Sequence, residues 1–204
     1  MSRMRKGALG AVAAVLISGA IWVPAANADI VLPFNNFQVG GSLNVKKLDN
    51  QAIDLPSGST FNGTANLTTH RLLGHVFIPE FTSTVTIGGI PTQVTSELEE
   101  VKPVGGSIRF VARGIRMHAT TSAILHLRKL TLGLVSVPTT CQTREPIVLT
   151  MDYVGPLLYP LAFDGTTTIP PLTHCGVLGP TLTALMSGPD NAYHLTLAPP
   201  APAP

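Results

Sequence analysis

Charge and aromatic rings are what this sequence has least of. Only 12% of its 204 residues are charged and only 5% are Phe, Trp or Tyr, against 45% hydrophobic residues. Low charge excludes a long charged helix or coiled coil. The apolar content excludes a disordered chain. Few rings remain to stack on sugars or bases. Cysteine is limited to Cys141 and Cys175, with no Cys-x-x-Cys, too few ligands at too wide a spacing for a metal site. Beyond Val23 no stretch reaches the 18 apolar residues of a membrane-spanning helix. Gly-x-Ser-x-Gly, His-Glu-x-x-His, the phosphate-binding loop and Gly-x-Gly-x-x-Gly are all missing. The acids are scattered, and no spacing singles out the carboxylate pair that glycoside hydrolysis needs. The sequence therefore nominates no catalytic, cofactor-binding or metal residue and no cofactor, and a hydrolase with dispersed carboxylates or histidines is the weakest reading.

One apolar run is present, at Gly7 to Val23. Arg3, Arg5 and Lys6 precede it, and Pro24 and Ala26-Asn27-Ala28 follow. This is the three-part layout of a secretory signal peptide, with cleavage expected after Ala28. There is no arginine pair for the twin-arginine route and no cysteine beside the cleavage site for a lipid anchor. The expected location is secreted or in the extracytoplasmic cell envelope, with no transmembrane span after signal removal. In that setting the two cysteines read as one disulfide, Cys141–Cys175; free thiols or a nucleophilic Cys141 are the alternatives.

What is abundant is turn and strand chemistry. Gly 19 and Pro 18 supply frequent breaks, and 23 threonines favour extended chain. Period-two alternation runs through residues 37–45, 61–68, 81–87, 90–98, 147–153 and 193–197, with an apolar run at 72–78. A break is expected at Pro103 to Gly106. Residues 107–119 and 123–135 read as two strands joined at Thr120-Thr121-Ser122, which would set His118 opposite His126 as a metal or pH-sensing pair. Pro180 to Met186 reads as a short helix, stopped before Gly188. The expected fold is all-β, an antiparallel sandwich or barrel-like sheet, with at most one short helix near 180–187 and one disulfide. It forms a single domain over 29–198 with a sub-boundary near 136–146, then a Pro/Ala tail at 199–204. Phe61-Asn62-Gly63-Thr64 echoes Phe163-Asp164-Gly165-Thr166, through shared turn chemistry or a duplicated half-domain.

The string Cys141-Gln142-Thr143-Arg144-Glu145-Pro146-Ile147, then Phe163-Asp164-Gly165-Thr166, Ile169-Pro170 and Cys175-Gly176, resembles exported actinobacterial β-rich proteins of uncharacterised function, as does Phe37 to Leu67. The resemblance implies a bacterial extracytoplasmic β protein with a Cys–Cys link and transfers no catalytic residue.

Charge distribution points further. Lys102, Arg109, Arg113, Arg116, Arg128, Lys129 and Arg144 fall in a span without an acid. They either pair with Glu97, Glu99 and Glu100 or present a basic face; Arg109, Arg113, Arg116, Arg128 and Lys129 are the candidate contacts to an anionic surface. Nucleic acid is excluded as a partner by export and by near-neutral charge once the signal is gone. Small inward residues such as Gly63 and Ala65 suggest a cavity for acyl chains. The expected function is an exported, non-catalytic cell-envelope protein binding an amphiphilic or lipid-like ligand or an anionic surface. The alternative is a structural or protein–protein interaction module on the cell surface. The oligomeric state is left open.

Overall fold

The computed structural model describes residues 29–87, 89–156 and 160–200. The expected export signal and the end of the tail lie outside them. Twelve strands form one antiparallel sheet: β1 (Val31–Val45), β2 (Gln51–Asp54), β3 (Thr60–Asn66), β4 (Arg71–Phe77), β5 (Phe81–Ile87), β6 (Ile90–Val111), β7 (Gly114–Leu132), β8 (Val135–Thr143), β9 (Ile147–Gly155), β10 (Leu161–Ile169), β11 (Leu172–Thr173) and β12 (Gly188–Ala198). Their order is β10-β12-β1-β3-β4-β6-β7-β8-β11, with β2 branching onto β1, β5 onto β6 and β9 onto β7. Of the two all-β forms the sequence allows, this is the barrel-like one, a sheet curled into a half-barrel. No helix among the described residues is long and apolar enough to cross a membrane.

Close approach of rings to glycine lets the sheet curl. Gly63 and Gly74 are cross-strand partners on β3 and β4. The Phe61 ring covers both, so an added Cβ would lie 2.7 Å from its Cζ at Gly63 and 2.5 Å at Gly74. Gly165 on β10 sits opposite Tyr193 on β12, and a Cβ there would lie 2.5 Å from the Tyr193 Cζ. Glycine in a strand marks such an approach. The Phe-x-Gly-Thr echo therefore lies in mid-strand both times, and turn chemistry is not what its two copies share.

Two expected breaks do not occur. Strand β6 runs through Pro103 to Gly106, where its register against β7 shifts between Lys102 and Gly105. A bulge of this kind absorbs a proline that cannot donate to the ladder. Nor does the chain turn at Thr120-Thr121-Ser122; these residues are the middle of β7. The β6–β7 turn is Ala112-Arg113. Threonine, β-branched, extends a strand more readily than it turns one. At the other end of β7, Gly133 takes φ 57° in the two-residue connection to β8, a conformation glycine adopts freely.

The interior divides along the strands. One cluster holds Phe34, Phe61, Leu72, Ile108, Ile115, Met117 and Phe163. The other holds Val45, Leu48, Val94, Leu125, Leu127, Leu130 and the Cys141–Cys175 disulfide. The short helix α1 (Gly179–Met186) opens with Pro180 in its first turn and buries Leu182 and Met186, one helical turn apart, against this second cluster. Asn191, fully buried, ties the ends of three strands: its side chain donates to Gly188 O (2.7 Å) and Thr167 O (3.3 Å) and accepts from Lys46 N (3.0 Å).

If the rings hold the curl, a methyl at Gly74 or Gly165 forces overpacking. Gly74→Ala and Gly165→Ala should each lower unfolding stability by about 1–3 kcal/mol. Chemical denaturation reads this directly, and unchanged midpoints would mean that the rings move aside without cost.

Candidate functional site

A cavity of about 160 Å³ lies between the two clusters. Its walls follow from strand alternation. Met117, Ala119, Thr121 and Ala123 face it from β7, Ile147, Leu149 and Met151 from β9, and Tyr193, Leu195 and Leu197 from β12. On β7 and β9 each set is every second residue, the inward face of a pleated strand, and on β12 Thr196 also reaches the cavity. The β7 row explains the space. Inward positions read Ile115, Met117, then Ala119, Thr121, Ala123, then Leu125 and Leu127. Large side chains fill each cluster, and small ones, Ala119 at the edge of the first and then Thr121 and Ala123, mark the junction. Gly63 and Ala65, the small residues expected to open a cavity, do not line it: Phe61 covers Gly63, and Ala65 is packed at 0% exposure.

The wall opens between β4 and β6. Their ladder ends at Gly74 opposite Val104. Beyond it, half-buried Leu55, Val76, Ile78, Leu98 and Glu100 border the cavity. Glu100 bridges the parted strands: one carboxylate oxygen accepts from Val76 N (2.9 Å), and the other meets Nδ1 of exposed His75 (2.7 Å). It is the one carboxylate among the lining residues, and no lysine or arginine is among them. A smaller void of about 60 Å³ shares Leu43, Leu55, Leu98 and Ile147 with the first and is bordered by Ser83, whose buried Oγ has no hydrogen-bond partner among the described residues.

Across the cavity, β9 and β10 face each other with no backbone ladder among the described residues, and side chains span them. Thr167 Oγ1 on β10 donates to Val148 O (2.7 Å), and the Tyr193 hydroxyl on β12 donates to Thr150 O. Burial pushes the Tyr193 hydroxyl above its ordinary pKa near 10, and the charge of Asp152 adds to the rise.

Four of the histidines, His75 among them, meet acids rather than one another. His118 pairs with Asp152 (2.7 Å), His126 with Glu99 (2.9 Å) and His194 with Asp164 (2.7 Å). The expected His118–His126 pair is not formed, because both stand on one continuous strand. Of the acids offered to the basic segment, only Glu97 meets one of its residues, Arg128, at 2.7 Å from Nε.

The five candidate surface cations separate into two places. Arg109 and Arg116 are cross-strand partners beside the turn that carries Arg113, and all three are exposed. Arg128 and Lys129 lie roughly a dozen residues further along β7, about 40 Å at the rise of an extended strand. The arginine turn also exposes Phe110 (64%) and Val154 (65%), while the turn at the other end of β7 exposes Leu132, Leu134 and Val135. Sequence reasoning missed Glu100 as a cavity residue; its place in the alternation with Leu98 was the available signal.

No protein-family model, curated protein or solved structure matches the chain.

The Tyr193 shift has a sign. A hydroxyl whose pKa is raised on folding contributes stability that is complete below the unfolded value near 10 and is lost as pH climbs through the folded value. Stability should therefore fall above about pH 10, and Tyr193→Phe should make that fall shallower. Urea midpoints across alkaline pH test this; parallel profiles for the two proteins would refute it.

Proposed function

We propose that this is an exported, non-catalytic cell-envelope protein that takes an apolar or amphiphilic molecule into the half-barrel. The observation that carries the reading is the cavity between the two clusters. Its volume of about 160 Å³ is comparable to that of an apolar cavity of ~150 Å³ that stays dry and admits a benzene-sized guest. It suits a ring or a short methylene run, with the rest of a longer ligand emerging between β4 and β6. The disulfide accords with an oxidising compartment outside the cytoplasm.

Benzene and toluene should raise the melting temperature of the wild type. A guest at a hundred times its Kd adds about 2.7 kcal/mol. Ala119→Leu fills the cavity from its β7 wall and should abolish that response while leaving the unliganded protein folded by circular dichroism. A melting curve indifferent to both guests would dispose of the reading.

A second reading, contact with an anionic surface, is favoured by the β6–β7 turn. Arg109 directly opposite Arg116 is an unfavourable cross-strand pair. Neither they nor Arg113 forms an ion pair among the described residues. An anionic headgroup would relieve the repulsion while Phe110 and Val154 meet the apolar layer beneath it. Each arginine near such a surface contributes about 1 kcal/mol. Replacing Arg109, Arg113 and Arg116 with Gln should abolish sedimentation with phosphatidylglycerol vesicles, and the pair Arg128→Gln and Lys129→Gln should leave it intact. Equal losses in both variants would show that general charge, not this turn, is at work.

A further inference from the structure

Resting on the cavity reading, we infer that the site selects its ligand by head group: an apolar tail carrying an uncharged or cationic hydrogen-bond donor is accepted, and an anionic head such as a carboxylate is refused. The reason is Glu100. It sits where the wall opens, between Val76 of β4 and Leu98 of β6, so a ligand whose tail lies against Met117 and Met151 brings its head beside this carboxylate. Each Glu100 oxygen holds one partner, Val76 N–H or His75 Nδ1. A carboxylate oxygen has two acceptor positions, so each retains capacity for a ligand O–H or N–H.

A second carboxylate at the same place meets like charge in an apolar surround. No lysine or arginine of the lining residues could offset it, and the neighbouring His75 already engages Glu100. A hydroxyl or ammonium head has the opposite fit, since it donates to an acceptor that is already fixed in place by the strand it bridges. Ser83, whose buried Oγ beside the smaller void has no partner among the described residues, is the competing polar anchor; an alcohol held there would be indifferent to the charge of Glu100.

Methionine methyl groups give a direct readout. Met117 and Met151 line the cavity, whereas Met186 borders only the smaller void. In the chain purified from an exporting host and labelled at methionine methyls, octan-1-ol, octylammonium and octanoate are titrated at neutral pH. The alcohol and the ammonium should move Met117 and Met151 with an affinity at least about tenfold above that of octanoate, a gap of about 1.4 kcal/mol. Glu100→Gln keeps the acceptor for Val76 N–H and removes the charge, so the gap should close; Ser83→Ala should leave it unchanged. Octanoate binding the wild type as well as octanol, or a gap that survives Glu100→Gln, would overturn the head-group inference while leaving the cavity reading standing. Shifts at neither methionine with any of the three would overturn both.

Discussion

The alternation along β7 is the constraint on which the remainder of this structure depends. A strand side chain faces inward only at every second position, and a slip of one residue would exchange the whole set with the solvent face. From Ile115 to Leu127 the phase is kept, so one continuous strand serves two apolar clusters. The clusters meet across small side chains, because Ala119 ends the first and Thr121 and Ala123 are the inward residues between it and the second. Well-packed interiors leave few voids larger than a water molecule. A void of about 160 Å³ at the junction follows from the size order of the β7 side chains rather than from any loop. The register shift between Leu127 and Lys129 comes after this row and turns Leu130 inward instead.

A half-barrel also needs edges that neither gape nor lock. Exposed edges invite pairing with other chains. Here β9 and β10 are set against each other, yet hydroxyl groups take the place of a ladder between them: Thr167 reaches Val148, and Tyr193, projecting from β12, reaches Thr150. The strand bearing Gly165 lies under the Tyr193 ring, so one residue both allows the sheet to bend and closes it. Opposite this seam the β4–β6 ladder stops at Gly74, and Glu100 spans the gap in the same manner, side chain to backbone. The disulfide steadies the far cluster, holding β8 to the turn before α1. In the chain-entropy account a loop of this length contributes about 3–4 kcal/mol.

Much of the fold was legible because period-two patterning is a local property. The all-β class, the helix beginning at Pro180 and the Cys141–Cys175 link needed only local pattern and cysteine count. Strand length was not legible in the same way. Pro103 and the Gly105-Gly106 pair read as a break, but a bulge admits them without ending β6, and a bulge is decided by what the partner strand does. Thr120-Thr121-Ser122 misled for a different reason. The polarity of those residues suggested a turn, although the odd-numbered row passed through them unbroken. The cavity was visible in that row as two alanines between Met117 and Leu125; attention to Gly63 missed it, because a glycine's empty space can be claimed by a ring from its own strand, as Phe61 does.

The charge pattern shows how pairing across strands rearranges what linear sequence keeps apart. The run Glu97, Glu99 and Glu100 looked like counter-charge for the basic segment that follows it. Adjacent residues on a strand point to opposite faces, so Glu99 and Glu100 cannot serve the same neighbours. Glu99 goes to His126, Glu100 to His75 at the cavity margin, and only Glu97 finds an arginine. With those acids committed elsewhere, Arg109, Arg113 and Arg116 are left together at the β6–β7 turn. The same alternation that separates the two clusters therefore also leaves a negative group at the cavity opening and a positive cluster at one turn, two sites of opposite sign on a chain whose charge is nearly balanced from Asp29 onward.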